Sequence, residues 1–136
     1  MNVTEFNQGV IDEFRANDGV VGGPFEGMQL LLLHSVGAKS GAHRINPLAY
    51  FEDGDSYLII ASNAGADKHP PWYFNLLASP EVRIEVGADE FTVLAEVLEE
   101  PTRTEVYDRI AAQVSAFAEY RAKTHRVIPI LRLTRA

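Results

Sequence analysis

The chain has no cysteine, no apolar run of membrane-spanning length and no excess of basic residues. The missing cysteine excludes disulfides, thiolate catalysis and cysteine-ligated metals. No apolar run approaches the ~20 residues of a membrane helix, and no signal peptide is visible at the N-terminus. The net charge of −7 disfavours nucleic acid as a partner. We therefore expect a cytoplasmic protein, and leave peripheral membrane association and a homodimer open.

The composition is that of an ordinary globular protein. With 136 residues, 46% apolar and 23% charged, the chain is expected to form one domain over residues 1–136. Acidic residues are concentrated between positions 79 and 108, whereas Lys39, Arg44 and Lys68 stand in two loops before that segment. Cations kept in loops of an acidic chain indicate an anionic ligand.

Hydrophobic periodicity predicts a mainly β, α+β protein with six strands. A helix is expected over residues 1–17, and further helices after the third strand and after the fifth. The predicted strands are 28–36, 43–51, 56–61, 82–86, 91–98 and 127–133. The first strand is apolar on both faces and should be central, while Pro129 in the last implies an edge or a bulge. Because short turns join the first three strands, a small closed or split β-barrel is favoured over a parallel sheet.

The stretch 37–47 has the residues of an anion site. Backbone N–H groups of a glycine-containing turn can surround an anion; Lys39 adds a charge and Ser40 a hydroxyl. Arg44 adds a fork that fits phosphate or carboxylate. An ordinary exposed hairpin explains the same residues equally well. Asn46 is expected to be extended because it precedes a proline. Pro47 has no N–H to donate to a neighbouring strand, which fits either an edge strand or a position that faces a ligand.

The stretch 61–75 combines small residues with aromatic ones. Small side chains at 61, 62 and 64–66 allow the backbone to approach a flat ring closely. Lys68 could reach an anionic tail, and Trp72 on the first turn of a helix could flank the ring. Asn75 would share that helix face. Plain core packing is the common alternative for a single tryptophan.

Other site types lack their patterns. The four histidines show no metal-ligand spacing, so no metal is expected. His34 follows four leucines and is interpreted as a satisfied strand residue. The serines lack the hydrolase elbow, and no dinucleotide or P-loop fingerprint occurs.

Two stretches carry a resemblance to a known family. They read GAKSGAHRINPL at 37–48 and AS at 61–62 with GADKHPPWYFNL at 65–76, and the pattern extends through SPEV at 79–82 and RVIP at 126–129. Together they resemble the deazaflavin-dependent nitroreductase family, actinobacterial reductases that use coenzyme F420. The resemblance covers residues 17–136 and implies a split β-barrel related to flavin mononucleotide (FMN)-binding barrels.

The resemblance also implies roles for individual residues. The implied cofactor-binding residues are Ala38, Lys39 and Ser40 for the phosphate and acidic tail, Arg44, Ile45, Asn46, Pro47, Leu48 and Ala49 along the cofactor, Ile60, Ala61, Ser62 and Asn63 at the ring, and Lys68, Pro71, Trp72, Asn75 and Phe117 around it. Ser62 is the candidate to hydrogen-bond the acceptor. Tyr120 is the candidate proton donor or lid residue.

The predicted function is an F420H2-dependent reductase that passes hydride to a quinone, an enone or a nitro-type acceptor. Prodrug-activating members have tyrosines where this chain has Ala49, Val114 and Phe117, which favours quinones and enones over nitroimidazoles. The alternatives are an FMN-dependent oxidoreductase, a non-catalytic F420 carrier, and a barrel used only for dimerisation.

Overall fold

The computed structural model describes residues 3–136, except for the side chains at positions 3, 4 and 24. The helices are α1 (Val3–Ala16), α2 (Pro71–Ala78), α3 (Thr102–Gln113) and α4 (Ser115–Lys123). The strands are β1 (Leu30–Val36), β2 (His43–Ala49), β3 (Phe51–Asp53), β4 (Ser56–Ile60), β5 (Glu81–Val86), β6 (Asp89–Val97) and β7 (Ile130–Arg135). Short 3-10 turns occupy Gly23–Phe25 and Asn63–Gly65. Residues 1 and 2, part of the predicted N-terminal helix, lie outside the described residues.

The strands form one antiparallel sheet in the order β2-β1-β5-β6-β7-β4-β3. Its two edge strands, β2 and β3, are separated along the chain by Tyr50 alone. Because consecutive Cα atoms lie about 3.8 Å apart, the two edges of the sheet must meet at this residue. The sheet is therefore curled into a half-barrel, which confirms the predicted split-barrel class.

The prediction of six strands is wrong by one. The pattern at 43–51 predicted a single strand, but β2 pairs with β1 and β3 pairs with β4. At the break, Tyr50 donates its N–H to the Gln29 carbonyl at 3.1 Å. The chain thus passes from one edge of the sheet to the other without losing its alternation of side chains.

The two prolines in strand-like sequence lie at different places relative to the sheet. Pro47 lies on β2, opposite Leu32 of β1. Because β2 is an edge strand, the missing N–H of proline is tolerated there. The expectation of an edge or bulge at Pro129 is wrong, because β7 lies inside the sheet between β6 and β4. Pro129 precedes β7, and its carbonyl accepts the Ala61 N–H at 2.9 Å.

β1 is buried on both faces, as its leucines predicted. Leu31 and Leu33 belong to the core inside the half-barrel, together with Trp72. Leu30 and Leu32 belong to a second core, beneath α1. A third core lies where α3 and α4 pack on β4 and β7; its buried residues include Leu58, Tyr107, Ile110, Phe117 and Ile130.

A polar network fixes α1 to the sheet. Arg15 donates to both oxygens of Glu85, at 3.1 and 2.8 Å, and Glu85 lies 2.6 Å from His34 Nε2. His34 Nδ1 lies 2.9 Å from His43 Nε2, so both ring nitrogens of His34 have a partner. The hydrogen bond from Arg15, supported by His34, lowers the pKa of Glu85. His34 is thus the satisfied strand residue that the sequence indicated.

Within residues 3–136, no helix is long and apolar enough to cross a membrane.

Candidate active site

A groove of about 450 Å³ opens at one end of the half-barrel, within the size range of small-molecule sites. It is lined by Asn7 of α1, Phe25 and Met28, Pro47, Leu48 and Ala49 of β2, Ile60 of β4, Ser62, Asn63 and Ala64, Pro70 and Trp72, and Phe117 and Tyr120 of α4. Most of the lining residues have apolar side chains, and Asn7, Ser62, Asn63 and Tyr120 have polar ones. We call this cavity the groove.

Many of the predicted site residues meet in the groove although they lie far apart in the sequence. Those that line it are Pro47, Leu48, Ala49, Ile60, Ser62, Asn63, Trp72, Phe117 and Tyr120. Arg44, Ile45 and Asn46 line a second hollow of about 370 Å³. Asn7 lines both cavities, so they adjoin one another.

The remaining predicted residues do not line either cavity. They are Ala38, Lys39, Ser40, Ala61, Lys68, Pro71 and Asn75. Ala61 is fully buried, and Pro70 lines the groove where Pro71 was expected. Val114, expected in the acceptor pocket, packs instead against the α3–α4 core.

The segment 61–69, here called the groove loop, contains an unusual backbone conformation. Asn63, Ala64 and Gly65 have φ values of 48°, 54° and 82°, so three successive residues are left-handed. For residues other than glycine this conformation costs roughly 1–2 kcal/mol each. Gly65 is needed, because a Cβ there would lie 3.1 Å from the Tyr120 Cα atom. The loop is thus packed tightly against α4.

Ser62 is the polar residue best placed to meet a ligand. Its side chain lines the groove and its residue is 8% exposed. Its carbonyl accepts the Gly65 N–H at 2.9 Å and an Arg126 N–H at 2.7 Å. Its hydroxyl has no hydrogen-bond partner among the residues that the structure describes, and the same holds for the Tyr120 hydroxyl. Both hydroxyls are therefore available to a bound molecule.

Helix α2 forms the opposite wall and connects it to the first predicted loop. Pro71 occupies the first helical position, with Pro70 as the N-cap. Trp72 is 6% exposed and packs in the core, which confirms the core-packing alternative; it also lines the groove, and its contact with a bound ring stays a prediction. Asn75 accepts the Ala38 N–H at 2.9 Å through Oδ1 and lies 3.4 Å from Ser35 Oγ through Nδ2.

The turn formed by residues 37–42 leaves two amides unused. Gly37 and Gly41 donate to backbone carbonyls within the turn, Ala38 to Asn75, and Ala42 to the Ser40 hydroxyl. In the described part of the chain, the amides of Lys39 and Ser40 have no partner. Both residues are exposed. Two adjacent free N–H groups beside a lysine are suited to an anion.

Sequence reasoning missed several groove residues and one residue that supports the groove. Asn7, Phe25 and Met28 come from the N-terminal segment, whose helical and loop patterns carried no chemical signal. Arg126 entered only as part of a family pattern, yet it bonds the groove loop at several points. An arginine shortly before a buried apolar strand was the signal that could have been weighed.

The comparisons with known proteins agree on one family. The family model described as F420H(2)-dependent quinone reductase matches residues 8–135. A Mycobacterium tuberculosis protein named F420H(2)-dependent quinone reductase is 36% identical over 126 residues, which cover 90% of this chain and 85% of that protein. A second protein of that organism, named a putative F420H(2)-dependent quinone reductase, is 32% identical over 74% of this chain and 85% of its own length.

Solved structures share the fold. An F420-H2 dependent reductase has a TM-score of 0.68 and 35% identity, covering 76% of this chain and 92% of its own. A chain described as a domain-swapped dimer has a TM-score of 0.70 and 29% identity, covering 97% and 99%. A heme storage protein of Vibrio cholerae has a TM-score of 0.59 at 16% identity, covering 96% and 90%, which shows the fold alone.

Proposed function

Because the chain belongs to the F420H(2)-dependent quinone reductase family, we propose that its groove binds the ring of coenzyme F420 beside a quinone acceptor. The family makes the chain an oxidoreductase with F420 as its cofactor, in place of the FMN and carrier alternatives. The assignment of individual residues is our proposal. Enone and nitro acceptors stay predictions from the sequence.

One observation supports the assignment above all others. Residues that are distant in sequence, with Pro47 to Ala49 from β2 and Ser62 and Asn63 from the groove loop, line the same groove as Trp72. The apolar side chains and the small side chains among the lining residues suit a flat ring, while the free Ser62 hydroxyl can donate to an oxygen. The residues present therefore fit a planar cofactor.

The residues divide into binding and orienting roles. Reduced F420 supplies the hydride when it is bound, so the protein contributes mainly binding and orientation. Lys39 and Arg44, with the free amides of Lys39 and Ser40, would bind the anionic tail. Ser62 would hydrogen-bond the acceptor oxygen, and Tyr120 would lie over the groove mouth or deliver a proton.

The fluorescence of Trp72, the single tryptophan, tests the binding site. Addition of oxidised F420 should quench it, and FMN should quench it much less. Equal or stronger quenching by FMN would favour the flavin alternative. No quenching by either cofactor would contradict the placement of the ring beside Trp72.

Turnover tests the reaction. Absorbance of reduced F420 should fall when menadione is added to the enzyme, and Ser62→Ala should slow this loss more than it weakens F420 binding. Tight F420 binding with no consumption of any quinone would instead support the carrier alternative.

Assembly and location stay at the level of predictions. One structural neighbour is described as a domain-swapped dimer, and a homodimer of this chain is tested by light scattering on the eluted protein. Cytoplasmic location and peripheral membrane association are tested by fractionation and by flotation with vesicles.

A further inference from the structure

Arg126, which lies shortly before β7, donates hydrogen bonds to several points of the groove loop. Nε donates to the Ala66 carbonyl at 2.9 Å, Nη1 to the Ala61 carbonyl at 3.2 Å, and Nη2 to the Ser62 carbonyl at 2.7 Å. Nη1 also lies 2.9 Å from His69 Nδ1. The guanidinium therefore contacts both ends of the groove loop.

Through its contact with His69, Arg126 also reaches the segment that leads into α2. Arginine has no acceptor, so Nδ1 of His69 must accept and its proton must be on Nε2. Burial, with the charge of Arg126, lowers the pKa of His69 and favours this neutral form. His69 directly precedes Pro70, the N-cap of α2, and Trp72 follows on the first turn. One guanidinium thus bonds the segments that provide two walls of the groove.

The bonded carbonyls lie at either end of the left-handed run. Ser62 precedes it and Ala66 follows it, while Asn63 and Ala64 between them have positive φ. Such conformations persist only when surrounding contacts determine them. Arg126 provides those contacts on both sides, and Lys123 adds one from Nζ to the Ala64 carbonyl at 3.3 Å.

We propose that Arg126 is a positioning residue for the reaction, and this rests on the function proposed for the groove. By fixing the carbonyls of Ser62 and Ala66, it determines where the Ser62 hydroxyl stands relative to the acceptor. Arg126 does not line the groove itself, so it acts through the loop. A lysine cannot replace it, because a compact ammonium does not reproduce the planar fork that reaches several carbonyls at once.

Arg103 offers a matched control. It also donates to a backbone carbonyl near the C-terminus, that of Ile128 at 3.1 Å, and its side chain is 14% exposed. Its other partners, Glu100 and Thr104, lie on α3 or just before it, and it does not line the groove. Arg103→Lys therefore removes a comparable bond without touching the groove loop.

The test compares Arg126→Lys and Arg103→Lys in the full-length protein, under conditions where both show the wild-type circular dichroism spectrum. We expect kcat with menadione and reduced F420 to fall about tenfold or more in Arg126→Lys, since small misplacements of reacting groups have large effects on rate. In Arg103→Lys, kcat should stay within about twofold of wild type. Guanidinium added at millimolar concentration should restore part of the activity of Arg126→Ala. Wild-type kcat in Arg126→Lys, or an equal loss in Arg103→Lys, would overturn the proposal.

A second measurement separates this proposal from the proposed function. Amide exchange of Gly65 and Ala66, followed without cofactor, should accelerate in Arg126→Lys and not in Arg103→Lys. Unchanged exchange would overturn the positioning role even if the enzyme turns over. If wild-type protein neither binds F420 nor reduces menadione, the function fails while the exchange result still decides whether Arg126 orders the groove loop.

Discussion

Arg15 and His34 both bind Glu85 where α1 packs on the sheet. By contrast, Lys39, Arg44 and Lys68 in the two predicted loops form no ion pair with any residue that the structure describes. In the first group the Glu85 and His34 side chains are largely buried and Arg15 is exposed but paired, whereas the second group is exposed and unpaired. Paired charges of this kind fix one element to another. Unpaired cations in an acidic chain are free to bind an external anion. The comparison thus separates a structural network from a candidate binding surface, and each can be tested without the other.

The largest effect is expected at the unpaired cations. Lys39→Ala and Arg44→Ala should each weaken F420 binding by roughly tenfold to a hundredfold, because charge-assisted hydrogen bonds contribute about 1.5–3 kcal/mol each. The unfolding free energy should hardly change, since both side chains are exposed. Quenching of Trp72 gives the affinity and urea titration gives the stability. An unchanged affinity in the double mutant would contradict the anion site.

Glu85→Gln should lower the stability of the protein and leave F420 binding unchanged. The neutral amide would present an NH2 group to Arg15 or His34, both of which donate to the carboxylate. We expect a loss of roughly 1.5–3 kcal/mol in unfolding free energy, the range for hydrogen bonds to charged groups, with F420 affinity unchanged. Urea unfolding measures the loss. Asp12→Asn, on the same helix, is the control: its charge lies near Arg15, but its hydrogen bond is an exposed one from Gln8, so the stability should stay near that of the wild type.

The same network predicts a pH dependence. The pKa of Glu85 is lowered in the folded state from an unfolded value of 4.5, so the unfolded chain binds its proton first as the medium is acidified. The stabilisation is therefore complete above about pH 4.5 and is lost as the pH falls through the folded-state pKa. Unfolding free energies of wild type and Glu85→Gln should converge below pH 4.5. A gap that stays constant down to pH 3 would show that the carboxylate charge is not what stabilises the contact.

How far the sequence predicted this arrangement depends on the kind of signal. The buried leucines of β1, the double proline at the start of α2 and the two loops all have local signatures, and the structure confirms their placement. The break at Tyr50 has none, because side chains alternate across it and only the pairing partners change. Arg126 was equally hidden, since bonds from arginine to backbone carbonyls require no charged partner at a recognisable spacing.

The left-handed run also escaped sequence reasoning. Asn63 tolerates positive φ, but Ala64 has no such preference, so composition predicted only a small-residue loop. Its conformation is determined by Arg126 and by the packing of Gly65 on α4, both of which are long-range contacts. Long-range contacts of this kind are the part of the site that local patterns cannot predict.

The smallest effect is expected from a test of whether the backbone of the groove loop is strained. Ala64→Gly relieves the strain of a positive φ of 54°, which should stabilise the folded state by roughly 1–2 kcal/mol. Glycine also gives the unfolded chain more conformational freedom, which lowers the stability by about 0.4–1 kcal/mol. The net expectation is a stabilisation of about 0.5 kcal/mol by urea unfolding. Ala66→Gly is the control: with φ at −64° it has no strain to relieve and should lose about 0.4–1 kcal/mol. Equal losses of stability in both variants would mean that the backbone of Ala64 is not strained. The hydrogen bonds from Arg126 would then not be needed to hold the groove loop in a disfavoured conformation.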